Sequence, residues 1–287
     1  MSQIPAAWLK VLVLLTLIVA IPACDNAVLQ RLKQGLTEQA IAERENNKLL
    51  AADYQAQAMA AMAKGESGTA RHAFTRAIDM DPGLAEAYCY RAINDMDSGA
   101  PYWGGASWDR VLADCNRAIE LKPGYARAYD ARGFANYKVG EPGLGIADYS
   151  KSIELDPDDA ITCYHRGLAY YDQKQWELAL ADFSRSIQLN PNGLHDYYYR
   201  GIIYSKQGKW DLAIADLSNV AERASIAWPE PRQELARSYY QRGLGYITQG
   251  QPDPAIADLK KVIELSADVE LKANAKQQLE GLGIKQP

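Results

Sequence analysis

The chain opens on one continuous apolar stretch and then changes character. Val11 to Ile21 (VLVLLTLIVAI) holds no charge and follows a lone Lys10. Eleven residues in a helix reach roughly 16 Å, half of a hydrocarbon core about 30 Å thick. That length fits the apolar core of a secretory signal, with Lys10 and the amino terminus as its positive flank. Residues 25–50 read as a polar helical stretch interrupted by Gly35, a stalk or an N-terminal cap. Beyond them the pattern becomes periodic. The segments GIADYSKSIELDP (145–157), LALADFSRSIQLNP (178–191) and PAIADLKKVIELS (254–266) are copies of one another. In the copies at 178–191 and 254–266, and again within 210–223, a small residue (Ala179, Ala255, Ala213) precedes a large one by four (Phe183, Leu259, Leu217), which puts both on one helix face.

Punctuation repeats with the same period. Prolines close units at 82, 123, 157 and 191, and Arg-Gly recurs at 132, 166, 200 and 242. Intervals of 34 residues separate 123 from 157, 157 from 191, 132 from 166, and 166 from 200. Proline cannot continue a helical hydrogen-bond ladder, so each marks the end of a second helix. This pattern resembles the tetratricopeptide repeat (TPR) family, whose unit is 34 residues in two antiparallel helices. The resemblance implies an all-α solenoid of six repeats at 51–84, 85–125, 126–159, 160–193, 194–235 and 236–269. Two insertions complete the register: seven residues near 100–106 and eight near 228–235. In the fourth repeat the helices are expected at about 160–173 and 177–189. Residues 270–287 supply a capping helix and tail, because a solenoid must cover its last apolar face.

The residue before the mid-helix glycine is Arg91, Arg132, Arg166, Arg200 or Arg242, where the family usually has an apolar side chain. The second helix of the same five repeats carries Asp114, Asp148, Asp182, Asp216 and Asp258. Repeat 1 lacks both, with Gln57 and Ala73. Types that appear and vanish together point to a guanidinium–carboxylate contact between the two helices of each unit. The glycine itself points to close approach of the second helix, with Phe74, Tyr149, Phe183, Leu217 and Leu259 as the large packing residues.

In the TPR family the first helices line an inner groove. The second, fifth, ninth, twelfth and thirteenth repeat positions face it, and carried onto this chain they assign to it Arg127, Phe134, Tyr137, Tyr164, Leu168, Tyr171, His195, Tyr198, Ile202, Arg237 and Tyr240. The groove so composed is aromatic and aliphatic with a few cations at its edge, and Tyr and Arg are enriched at binding hot spots. The same tyrosines have a second reading, as packing between adjacent first helices. The family's Lys and Asn clamp for chaperone C-termini is absent, which excludes that partner class. In the first insertion, Ala100-Pro-Tyr-Trp-Gly-Gly-Ala106, Tyr102 and Trp103 either form a second contact site or fold back as a lid. The second insertion, with Trp228-Pro-Glu-Pro231, reads as a bent connection before a lengthened helix.

The apolar run ends Ile21-Pro-Ala-Cys24. A small residue before a cysteine resembles the lipobox of bacterial lipoproteins, which implies acylation of Cys24 and removal of residues 1–23. That removal takes away Lys10 and no acid, moving the net charge from −5 to −6. An acidic balance of this kind argues against nucleic acid as a partner. Three histidines, none close to another, exclude a HExxH zinc site. No phosphate loop, G-x-S-x-G elbow or paired-cysteine motif occurs. The expectation is therefore a non-enzymatic adaptor without cofactor or metal. It would hold another protein or a peptide segment in its groove, bind the membrane through its N-terminal lipid, and face the periplasm or exterior of a bacterial cell envelope. The competing expectations are a small-ligand receptor or enzyme using the concave face, or a cytoplasmic adaptor with an uncleaved N-terminal anchor.

Overall fold

In the computed structural model, residues 26–97, 108–225 and 227–284 are described. Among them are thirteen α-helices and no strand. They fall into two compact units, which divide in sequence between Pro123 and Gly124. The first unit holds α1 (Asn26–Ala63), α2 (Ser67–Met80), α3 (Ala85–Asp97) and α4 (Trp108–Leu121). The second holds α5 (Ala126–Lys138), α6 (Pro142–Leu155), α7 (Ala160–Asp172), α8 (Trp176–Leu189), α9 (Leu194–Lys206), α10 (Trp210–Arg223), α11 (Glu230–Thr248), α12 (Pro252–Leu265) and α13 (Val269–Gly281). Each unit is a helical-repeat solenoid in which consecutive helices pair. Cys24, Tyr102 and Trp103 lie outside the described residues.

Gly35 does not interrupt the first helix. α1 runs unbroken for 38 residues, because Ala, Gln, Leu, Glu and Lys on either side favour helix enough to absorb one glycine. Its C-terminal part is the first helix of repeat 1, where Ala58 and Ala61 bury against Ala70, Phe74 and Ala77 of α2. Residues 33–50 are exposed almost throughout.

Two turn chemistries alternate along the chain. After α2, α6 and α8 an Asx-Pro pair ends the helix. There the side chain of Asp81, Asp156 or Asn190 accepts from the backbone N–H two residues on, and the proline blocks continuation. Within the pairs α1/α2, α5/α6, α7/α8, α9/α10 and α11/α12, one residue takes the left-handed conformation. It is Gly65, Gly140, Gly208 or Gly250 in four of them, and Lys174 at φ 59° in the α7/α8 turn.

The helices of a pair meet at the mid-helix glycine. A Cβ built on Gly167 would lie 2.8 Å from the Phe183 ring, and one on Gly133 would lie 2.8 Å from the Tyr149 ring. At Gly243 the closest atom would be 3.4 Å away, ordinary contact. Gly167→Ala is therefore expected to destabilise by about 1–2 kcal/mol, overpacking outweighing the helix-propensity gain. Gly243→Ala should instead stabilise by up to about 1 kcal/mol. Urea denaturation of the two variants checks the difference in sign.

All five Arg–Asp pairs form, each through two parallel bonds. Arg166 Nε and Nη2 donate to Asp182 at 2.8 and 2.7 Å. Arg91 with Asp114, Arg132 with Asp148, Arg200 with Asp216, and Arg242 with Asp258 repeat that geometry. In four of the five, the third guanidinium nitrogen reaches back one repeat. Arg91 donates to Thr75, Arg166 to Ser150 and Arg200 to Ser184, at 3.1–3.2 Å. Arg242 donates instead to Asp211 at 2.6 Å. Arg91, Arg166, Arg200 and Arg242 thus tie the two helices of their own repeat together and also tether them to the preceding second helix, a link the sequence reading did not anticipate.

Candidate protein-binding groove

The first helices of the second unit, α5, α7, α9 and α11, carry a connected set of aromatic rings. Tyr164 on α7 lies 6.3 Å from His195 and 6.4 Å from Tyr199, both on α9. Tyr171, two turns further along α7, meets Tyr199 edge-on at 5.1 Å and Trp176 at 5.4 Å. Tyr198 contacts Tyr199 at 5.4 Å. The floor beneath is Phe183 of α8, fully buried and stacked on Tyr199 at 5.7 Å. Tyr164, Tyr171, Tyr198 and Tyr199 are themselves half-buried. They pack between adjacent first helices and still present part of each ring to solvent. Burial raises the phenol pKa of all four, of Tyr198 to about 12, so each keeps its proton and can donate a hydrogen bond.

The remaining predicted positions divide. Phe134 faces His165 at 5.4 Å, and the Lys138 ammonium sits 5.1 Å from the Phe134 ring centre. Tyr137 is half-buried and donates its hydroxyl to Asp172, linking α5 to α7. Leu168 is half-buried beside the Phe183 cluster. Arg127 and His195 are exposed. Arg237 is exposed and paired with Glu234 at 2.7 Å. Ile202 is 8% exposed, so it is core and not groove lining. Tyr240 packs with Leu259, Val262, Ala275 and Leu279 beneath the terminal helix. Tyr164 and Tyr198 share one aromatic patch, while Tyr240 belongs to the cluster under α13. All three tyrosines are half-buried, each packed against the core cluster of its own repeat.

Sequence reasoning missed four contributors. The second insertion brings Trp228 to 4.6 Å from His195 and 5.3 Å from Tyr198. The same insertion starts α11 early, at Glu230, and the charges of Glu234 and Glu230 add to burial in raising the Tyr198 phenol. Tyr199 bridges α7 and α9. Its signal was the run Tyr197-Tyr198-Tyr199, which brings several helix faces into play at once. His165 and His195 flank Tyr164 from two sides. His165 Nδ1 is 2.8 Å from Asp130. Among the described residues no group of three His, Cys, Asp or Glu could hold a metal ion.

One acid on this unit lacks support. Asp196 on α9 is 6% exposed and its Oδ1 has no hydrogen-bond partner. Burial pushes its carboxyl up to about 6, against the opposing pull of Ser186 and Arg200. The folded pKa thus exceeds the ordinary value of 3.8. The ionised form is the disfavoured one, so this group's cost is absent below about pH 4, grows as pH rises to about 6, and is complete above it. Thr162 and Ser238 occupy the same repeat position. Asp196→Thr should therefore raise stability at pH 7 by about 1–2 kcal/mol and flatten the fall between pH 4 and 6. Denaturation midpoints measured at pH 4, 5, 6 and 7 check it.

The tetratricopeptide-repeat family model matches residues 160–192 and again 236–269. These two segments are thus tetratricopeptide repeats, and the paired-helix geometry above is that of a tetratricopeptide-repeat solenoid. No curated protein matches the sequence. Solved structures share the fold. YrrB, described as a TPR protein with an unusual peptide-binding site, is 23% identical, with a TM-score of 0.55 over 71% of this chain and 97% of its own. PilF of Pseudomonas aeruginosa gives a TM-score of 0.59 at 15% identity, over 81% of this chain and 99% of its own. A tetratricopeptide repeat protein from Parabacteroides merdae gives 0.51 at 16% identity, over 79% and 97%.

Proposed function

We propose that the chain is a non-catalytic adaptor that grips a peptide segment of another protein on the aromatic face of α7 and α9, and that it is held at a bacterial membrane by an acylated Cys24. The repeat family and the structural neighbours support an interaction scaffold. The observation that carries the groove is the set of half-exposed tyrosines, locked in place from below by Phe183 and from the side by Trp228. Rigid rings that keep a protonated hydroxyl offer both apolar area and a hydrogen bond to an extended backbone. Half-exposed rings spread over neighbouring helices suit an extended peptide, which can touch several of them at once.

The membrane part rests on the sequence alone. Among the described residues no helix is long and apolar enough to cross a bilayer. Several acyl chains on one cysteine would anchor firmly, where a single chain gives only marginal binding.

Two measurements test the proposal. Tyr198→Ala should weaken partner binding by at least about 1 kcal/mol with the helical circular dichroism unchanged. Unchanged affinity in a Tyr164/Tyr171/Tyr198 triple alanine variant removes the groove. Mass spectrometry of the membrane-extracted protein should show residues 1–23 gone and acyl mass on Cys24, and an intact Met1 refutes the anchor.

A further inference from the structure

Interior first helices are covered on the side that faces the preceding repeat. In repeat 2, Ala87 of α3 joins the core shared by α1 and α2, the Tyr90 ring stacks on Phe74 of α2 at 6.2 Å, and the Asn94 amide donates to the Ser67 carbonyl at 3.1 Å. In repeat 4, the Thr162 hydroxyl of α7 lies 3.4 Å from that of Ser152, and the His165 ring 5.7 Å from Tyr149, both on α6. In repeat 1 these positions fall on α1 at Asp53, Ala56 and Ala60, and all three are exposed. Leu49, Ala52 and Met59 extend the same face, with Leu49 69% and Met59 38% exposed. At 100° per residue this face is opposite Ala58, which buries against α2. The C-terminal end is finished differently. There α13 buries Ala275 and Leu279 with Leu259 and Val262 of α12 and turns Glu270, Lys276 and Glu280 to water, the polar cap that a solenoid end requires. The outward face of α1 is largely apolar where that of α13 is charged.

The spacing on α1 says what covers it. Leu49, Ala56 and Ala63 are seven residues apart, with Ala52 and Met59 between them, which is the a and d pattern of a coiled coil. Glu45, at the preceding d position, ends the seam. Lys48 then stands at a g position and Asp53 at the e position that follows, both exposed. In a parallel pair, g of one helix meets the following e of its partner, so Lys48 of each copy meets Asp53 of the other, twice about the axis. An antiparallel pair that matched Leu49 with Met59 would set the two Asp53 side chains against each other. We propose that the open face of α1 is a self-association surface, covered by α1 of a second copy in a parallel two-fold pair. Such a contact is isologous, so it closes at two copies and does not propagate. The seam spans about two heptads on a helix that is already formed, which suits a weak pair in the micromolar range.

The test is sedimentation equilibrium of the purified full-length chain from about 1 to about 100 µM, where a pair of that strength is partly dissociated. A monomer–dimer equilibrium is expected. Leu49→Glu with Met59→Glu, both exposed positions, should leave only monomer without shifting the thermal midpoint. Lys48→Glu should weaken the dimer about tenfold by turning both cross-pairs repulsive, and Lys48→Asp with Asp53→Lys should restore it to within about threefold. In a Cys24→Ser background, Ala52→Cys at a d position should oxidise to a disulfide-linked dimer, whereas Gln57→Cys at an outward position should not. A dimer indifferent to Leu49→Glu/Met59→Glu, or linked through position 57 and not 52, overturns the proposal. So does a chain that stays monomeric throughout. In that case an Ala52→Cys thiol shielded from maleimide means that another segment of the same chain covers the face, and a reactive one means that the face is bare.

Discussion

Asp182→Leu is expected to cost about 3 kcal/mol of unfolding free energy, and Arg166→Met a similar amount. Each strands a charge that the fold holds largely away from water: the Asp182 side chain is 8% exposed and the Arg166 side chain 22%. The pair is bidentate, so both charges lose two short bonds together. The double variant should recover about 1–3 kcal/mol relative to the sum of the singles, because it leaves neither partner unpaired. Strict additivity would mean that the contact is absent in solution. The consequences should also be local. Solenoid stability is approximately a sum of repeat and nearest-neighbour terms. Arg166 also holds Ser150 of the preceding repeat, so amide exchange should quicken from α6 to α9 and leave α12 and α13 protected.

Phe183→Ala should be comparably damaging, at about 3–5 kcal/mol. The ring is fully buried, touches Gly167 of the paired helix and supports both Tyr164 and Tyr199. Its loss opens a cavity under the aromatic patch, so peptide affinity should fall along with stability. Phe183→Leu should cost only about 1.5 kcal/mol, since Leu217 and Leu259 fill the equivalent sites in later repeats. Urea midpoints of the two variants, with anisotropy on the same samples, check both effects. An alanine variant that melts like the parent would contradict the role given to this ring.

Much of the architecture was legible because repetition makes local signals redundant. Pro157 and Pro191 marked helix ends, and the expected helices at 160–173 and 177–189 are found at Ala160–Asp172 and Trp176–Leu189. The Arg–Asp contact could be inferred because repeat 1 lacks both members, an internal control that a non-repetitive sequence does not offer. Three features escaped. Gly35 looked like a break, but one glycine is a small cost in a long run of good helix formers. Ile202 sits at the same repeat position as half-buried Phe134 and Leu168 but is itself buried. Its burial depends on what covers it, and position within a repeat does not encode that. Trp228, Glu230 and Glu234 came from an insertion, the one element without a counterpart in the other units.

The central claim is that a partner segment lies on the first-helix face of the second unit and not on the outer face of the second helices. A photoreactive benzoylphenylalanine placed at Tyr171, compared with one at Leu178, tests it most directly. Leu178 is 48% exposed on α8, with Leu144 and Leu212 at the same place in the adjoining repeats, so reactivity there reports the exposed side of the second helices. The account predicts a discrete crosslink from position 171 that disappears with Tyr198→Ala, and none from position 178. Crosslinking from 178 that persists in the Tyr198→Ala background, with nothing from 171, would contradict it.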